Sequence, residues 1–578
     1  MSDLVKEKKK IKKPKYKFKD VLVLSMLTAL ALTVMFLLYG MIDFYANNMY
    51  ELGFSFNEAI LPILEVFITG FLIVFAVCFV LSFKILNIVS SCVFSFIFTV
   101  YIFNAFISKA VFVSGSYYND GQELNEYIYL ILCFVAIFTI LFFISIRFSS
   151  KWKSVVIFMS ILVLGMNLSA LASDFFTTDI IKATPKKCEY VLTDKDMLTV
   201  SKKENVIVIL FDRFDTQFFE EVIEDTPDYF DELDGFTYFD NTTSVYSRTF
   251  PAVTAMITGV DYDGSCTPNE YFDNAYSNSP FLKDLKANDY AVNLYCHRYY
   301  TYDDAVLLNG VADNAEKVSK YKIDKKLMKS TLSLWAFTRF FPRAASDLML
   351  TYTSSGTFSK ICVPQAENNS YYPNDIELNK KLKESGLSLN DNDRQFTYIY
   401  MQGCHSPYFL DENCEPSDNA TSLSQTKGGF GVVKNYIKEL KRLGVYDDCT
   451  IVITGDHGFP ESDVKNYLET NTNGVATTML IKPKNASFKS YRKSSAPTSI
   501  SNINATIIED AGIDTDHDYG LSAFSIKESD EIKRYSLQSI YDSQKKELIL
   551  DKFAIEGSAT DLKSWTLVES IKTNQKWY

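Results

Sequence analysis

Asn205-Val-Ile-Val-Ile-Leu-Phe-Asp212 is an unbroken apolar run, rich in β-branched side chains, that ends on a carboxylate. A run this short, bounded by polar residues, predicts a strand covered on both faces, as in a parallel sheet. Two later runs repeat the arrangement. Thr397-Tyr-Ile-Tyr-Met-Gln-Gly403 ends just before His405, and Thr450-Ile-Val-Ile-Thr-Gly455 ends at Asp456-His457. Open α/β sheets build their sites where strands end and loops begin. One Asp after a strand is ordinary turn chemistry, but the same placement three times over points to a single site. From Lys202 onward short apolar runs alternate with polar helical stretches, which predicts an α/β domain with a mainly parallel central sheet.

Histidine is scarce, with four in the whole chain, and two of them, His405 and His457, fall at these strand ends. His297 and His517 lie in other polar stretches. An Asp-His pair directly after an apolar strand and before Gly458 reads as a metal or catalytic pair. The segment Ser247-Arg-Thr249-Phe-Pro251-Ala-Val-Thr-Ala-Met-Ile-Thr258-Gly259 predicts a helix with Pro251 in its first turn and Gly259 at its end. Thr249 then stands near the helix N-terminus, either as a plain N-cap or as a hydroxyl whose anionic form or phosphate ester the helix end favours.

Upstream the composition changes. Overall the chain carries 58 Lys+Arg against 70 Asp+Glu, a net charge of -12, and its mean hydropathy is -0.01. Residues 1–20 hold nine Lys against Asp3, Glu7 and Asp20, a net of +6, so the remainder carries -18. Between Val21 and Asp174 lie five apolar runs, about Val21 to Phe44, Val66 to Phe83, Ile85 to Phe106, Tyr127 to Ile146 and Val155 to Leu171. About 20 such residues cross the hydrocarbon core of a bilayer, so five transmembrane helices are expected. The basic tail, Lys84, Arg147, Lys151 and Lys153 fall on one side of these spans, and Glu51, Glu58, Asp120, Glu123 and Glu126 on the other, with Lys109 the exception. An excess of Lys and Arg marks the cytoplasmic side, which puts the N-terminus inside and everything after about residue 175 outside. Glu65, preceded by Pro62, is expected at the outer interface. This pattern excludes a wholly soluble protein, a disordered chain and a nucleic-acid binder driven by basic charge. The expected division is a basic cytoplasmic tail (1–20), a five-helix transmembrane domain (21–174), a linker (175–203), an extracellular catalytic domain (204–530) and a small antiparallel β subdomain (531–578).

Taken together, these residues resemble the alkaline phosphatase and sulfatase superfamily, with four short motifs in order over about 205–460. Five spans followed by such a domain look most like the lipoteichoic acid synthases and related membrane phosphoglycerol or phosphoethanolamine transferases. The resemblance implies one divalent cation held by Asp212, Thr249, Asp456 and His457, with Mn²⁺ favoured and Mg²⁺ or Zn²⁺ compatible. It implies Thr249 as nucleophile and His405 as the group that protonates the leaving oxygen or holds the phosphate. Arg213, His297 and Arg298 are the expected contacts to the phosphate or headgroup. Two departures separate the chain from classical sulfatases, whose nucleophile is a Cys or Ser oxidised to formylglycine. Thr249 cannot be so converted, and Val253 and Arg213 stand where an Arg and a second Asp are usual. The function implied is transfer of a phosphoglycerol-type headgroup from a membrane lipid donor such as phosphatidylglycerol to a surface glycan or polymer, through a phosphothreonine. The rivals are a hydrolase of phosphodiesters or sulfate esters and a catalytically inactive lipid-sensing protein. Seven cysteines lie outside the spans, and Cys404 and Cys414 are spaced to bridge a loop beside His405.

Overall fold

The computed structural model describes residues 18–49, 52–106, 123–182, 187–298, 302, 304–338, 340, 360–458, 476–542 and 547–573. Lys109, Asp120 and the tail before Phe18 lie outside them. The chain forms two compact units, one of Met1–Lys187 with Tyr321–Val363, the other of Cys188–Lys320 with Pro364–Tyr578.

The first unit carries five helices long and apolar enough to cross a membrane: α1 (Phe18–Asn48), α2 (Phe56–Val80), α3 (Phe83–Ile102), α4 (Ile128–Arg147) and α5 (Trp152–Thr177). They make the chain a multi-pass membrane protein. Helices α1, α3 and α5 supply most of the buried surface, while α2 and α4 leave residues such as Leu61, Leu72, Ile131 and Ile140 exposed, as lipid-facing helices do. Helix α2 begins ten residues before the expected Val66. Ser55 caps it, accepting from the Glu58 N–H while the Glu58 carboxylate accepts from the Ser55 N–H, and this reciprocal cap fixes a start that hydropathy alone misses. Glu65 therefore lies within the helix, where it pairs with Lys329 at 3.0 Å and remains exposed.

Residues 321–363 sit in this helical unit although the α/β fold surrounds them in sequence. The reason is one apolar face on the helix Lys325–Thr338. Met328, Leu332, Trp335 and Ala336, spaced as one helical stripe, pack with Met41, Phe44 and Tyr45 of α1. The rings of Trp335 and Phe44 lie 5.5 Å apart.

In the second unit a seven-stranded sheet is built from β1 (Glu204–Phe211), β2 (Thr237–Phe239), β3 (Tyr290–Tyr295), β4 (Arg394–Met401), β5 (Cys449–Gly455), β6 (Met479–Lys482) and β7 (Arg492–Ser494). Its order is β7-β2-β6-β5-β1-β4-β3, and only β6 runs against the rest. The central strand β1 is apolar throughout because both its faces are covered. Val206, Val208 and Leu210 belong to one buried cluster, Ile207, Ile209 and Phe211 to another. Helix α6 (Thr249–Thr258) covers the first face with Phe250, Val253 and Ile257. Helix α7 (Ser422–Leu443) covers the second with Phe430, Val433 and Ile437, and the rings of Phe211 and Phe430 stack at 5.1 Å. A β-carbon on Gly429 would come within 2.5 Å of the Phe211 ring, so glycine sets how closely α7 approaches the sheet.

The chain ends in an antiparallel sheet of β8 (Arg534–Asp542), β9 (Glu547–Ile555) and β10 (Trp565–Thr573), as expected. Arg534 anchors it, its buried guanidinium donating to the carbonyls of Asn241, Thr498 and Gly557. None of the ten cysteines is in a disulfide. Cys404 and Cys414 do not pair, and the Cys404 sulfur lies 3.4 Å from the Thr426 hydroxyl instead.

If Trp335 docks the inserted helix onto α1, Trp335→Ala leaves a cavity costing about 3–5 kcal/mol. The expected result is faster thiol labelling of Cys362, which is buried in the same cluster, with labelling of Cys449 in the other unit unchanged.

Candidate functional site

Register places the two principal carboxylates side by side. Phe211 at the end of β1 pairs with Gly455 of β5 and Met401 of β4, so the next residues, Asp212 and Asp456, leave adjacent strands at the same level. Strands lie about 4.8 Å apart, and His457 follows at once. Ligand atoms of Asp212, Asp456 and His457 all lie within 4.8 Å of one another, and all three residues are buried.

Each of these side chains has one atom engaged by the protein and one turned to the common centre. Asp456 Oδ1 accepts the backbone N–H groups of Arg213 and His457, both at 2.9 Å. Its buried Oδ2 has no hydrogen-bond partner among the described residues. Asp212 Oδ2 accepts from the Tyr400 hydroxyl, leaving Oδ1. The Nδ1 of His457 lies 3.0 Å from the Gly458 carbonyl, which can only accept, so Nδ1 carries the proton and Nε2 presents a lone pair. Burial first, and the neighbouring Asp456 second, push Asp212 up to about 7. A buried carboxylate oxygen without a donor, a second carboxylate and an imidazole lone pair form a donor set that fits a divalent cation.

Thr249 is not an N-cap. Arg248 holds that position, and Phe250 keeps extended angles (φ -90°, ψ 127°), so regular helix begins at Pro251. The Thr249 hydroxyl instead lies 3.5 Å from Asp212 Oδ1 and 3.5 Å from His457 Nε2. These lengths are at the limit for direct hydrogen bonds. They suit groups arranged around a shared centre. The structure thus gathers Asp212, Thr249, Asp456 and His457.

A positive rim adjoins them. Arg213, in left-handed backbone geometry (φ 59°), reaches the Ser406 hydroxyl with Nη1 at 3.0 Å. Burial holds its guanidinium below its ordinary value against the pull of Asp212, and repulsion from Arg248 adds to the lowering. His405 lies in the same field. Burial and then Arg213 hold its imidazole below the usual histidine range, and its Nδ1 is bonded to the Ser406 carbonyl. The loop that carries it is fixed from two sides. Asp375 accepts the N–H groups of Gln402 and Gly403, both at 3.0 Å, and Gln425 donates to the carbonyls of Gly403 and His405. Gly403 has φ 55°, and a β-carbon there would stand 2.7 Å from Phe211 Cα, so the loop can cross the end of β1 only with glycine.

His297 and Arg298 follow β3, two strands from β1 in the sheet. They act on each other, burial and then Arg298 holding His297 down at about 4. Arg248 and Tyr400 also border the site, and the sequence alone does not single them out. Arg248 carries a signal only in its position beside Thr249, and Tyr400 only through the register of β1 and β4, where it pairs with Leu210.

No curated protein gives a significant sequence match. Solved structures with a likeness include a protein of the alkaline phosphatase superfamily from Vibrio parahaemolyticus (12% identity over 66% of this chain and 85% of that one, TM-score 0.38). They also include the phosphonate monoester hydrolase SpPMH from Silicibacter pomeroyi (14%, 64% and 88%, TM-score 0.35) and the lipoteichoic acid synthase LtaP from Listeria monocytogenes (13%, 66% and 90%, TM-score 0.32). A family model described as Sulfatase matches residues 204–513, more than half of the chain, and on that match the chain belongs to the sulfatase family.

Proposed function

We propose that this sulfatase-family protein is a membrane-anchored, metal-dependent phosphotransferase that moves a phosphoglycerol-type headgroup from a lipid donor such as phosphatidylglycerol to a surface glycan or polymer. The observation that carries the reading is the Thr249 hydroxyl beside Asp212 and His457. A threonine there is suited to forming a phosphate ester and cannot become the formylglycine of sulfate-ester hydrolysis. A divalent ion held by Asp212, Asp456, His457 and Thr249, with Mn²⁺ favoured, would lower the pKa of the hydroxyl and offset phosphate charge.

The side chains then divide the work. Thr249 Oγ1, already ionised to the alkoxide, attacks phosphorus and forms a phosphothreonine ester as the bond from phosphorus to the diacylglycerol oxygen breaks. His405 gives that oxygen its proton. The acceptor alcohol next attacks the ester, His405 takes the acceptor's proton, and Thr249 is released as the alkoxide. Arg213 and Arg248 offset the charge of the phosphate oxygens. We infer that the N-terminus and Lys84, Arg147, Lys151 and Lys153 face the cytoplasm, which puts the α/β unit outside with its acceptor.

With labelled phosphatidylglycerol and Mn²⁺, the purified chain is expected to release diacylglycerol and to carry the headgroup on Thr249, read by mass spectrometry. Thr249→Ala should lose both. Diacylglycerol release that persists in this variant defeats the mechanism, and phosphoglycerol appearing in water at the same rate with and without an acceptor would identify a hydrolase.

For His405 the sign follows from its depressed pKa. The protonated form is present at low pH and is lost as pH rises through a value below the usual one of about 6.5. The kcat/KM for diacylglycerol release should therefore fall across that window, and His405→Gln should remove the limb and cost about 10²- to 10⁴-fold.

Binding of the metal is checked apart from turnover. Mn²⁺ at 100 times its Kd should stabilise the chain by about 2.7 kcal/mol, seen as a higher unfolding midpoint, and Asp456→Asn should abolish the shift.

A further inference from the structure

The interior of the membrane unit holds several buried polar side chains. Ser25 and Thr28 on α1 and Ser160 on α5 are fully buried, yet their hydroxyl oxygens have no hydrogen-bond partner among the described residues. Asn87 Oδ1 on α3 is in the same state. Most buried polar groups in proteins are paired, and in hydrocarbon an unpaired one has no alternative.

The three helices that carry these groups pack on one another through one buried apolar cluster. On α3, Asn87, Ser91, Ser95 and Thr99 recur every four residues and are all buried, so they form one face. Each hydroxyl of the three donates to the carbonyl four residues back, which leaves its oxygen able to accept. Trp152 at the start of α5 crosses to α3 and donates to the Ser90 hydroxyl at 3.0 Å. Further along, the Asn167 side chain of α5 interacts with the Tyr101 hydroxyl of α3, while Asn167 Oδ1 has no hydrogen-bond partner among the described residues. From Asn87 to Thr99 is about 18 Å of helix rise, a large part of a hydrocarbon core of about 30 Å.

We propose that α1, α3 and α5 enclose a hydrated seam, a file of bound water running from Asn87 toward Asn167. Water fits because the seam offers surplus acceptors on α3 and groups that can both donate and accept on α1 and α5. A buried water commonly makes about three hydrogen bonds to such groups. The membrane unit is then more than an anchor, since it holds a polar path within a lipid-facing shell. Nothing in this depends on the reaction at Thr249.

Thiol chemistry tests it, because methanethiosulfonates react with the ionised thiol and ionisation needs water. Ser25→Cys, Thr28→Cys and Ser160→Cys are made in the full chain in lipid vesicles and treated with a small cationic methanethiosulfonate, with modification read site by site by mass spectrometry. Ile161→Cys and Leu168→Cys, on the exposed apolar surface of α5, are the references. The seam positions should react at least tenfold faster than the references; equal or slower reaction overturns the proposal. A second measurement needs no substitution. Hydroxyl radicals generated from water should oxidise buried Met159, next to Ser160, faster than exposed Met166, and the reverse order overturns it too.

Discussion

Two carboxylates do not share a water-poor pocket unless something forces them together, and here the force is strand register. Asp212 and Asp456 leave neighbouring strands one residue after a paired Phe211 and Gly455, in a sheet covered on both faces. The repulsion shows in Asp212, whose proton is held up to about 7 by burial and by Asp456. The protein relieves half of the problem itself. Tyr400 takes one oxygen of Asp212, and two backbone N–H groups take one oxygen of Asp456. What remains is the inward donor set, and the tight glycines at 403 and 429 keep loop and helix close enough to hold that geometry.

What could be read from sequence was whatever is written locally. The strand ending at Asp212 is legible because burial on both faces demands an unbroken apolar run, and Asp456-His457 is legible because the ligands are consecutive. The spans are legible by length and hydropathy, and the antiparallel end of the chain by its short β-rich runs. Less could be read where distant segments meet. Arg248 looks like any exposed arginine until Arg213 and His405 are folded against the same pocket, and Tyr400 is one of several strand tyrosines until register sets it over Asp212. The start of α2 depends on a cap at Ser55, which no hydropathy average sees. The helix Lys325–Thr338 has an ordinary amphipathic pattern that does not say which unit its apolar face will join.

The same contrast runs through the membrane half. Lipid-facing α2 and α4 announce themselves by apolar length alone, whereas α1, α3 and α5 dilute theirs with Ser, Thr and Asn that make sense only when the helices face one another. A residue such as Ser95 lowers the apparent hydropathy of a span and is nonetheless buried. In a bundle, polarity and burial are decided by neighbours that sequence does not place.

Because residues 321–363 return to the helical unit, the chain passes between the two units three times, near residues 187, 320 and 363. A domain on one linker is a bead on a string, free to swing and lost with a single cut. Three tethers behave differently. A nick at any one of them leaves the other two connections in place.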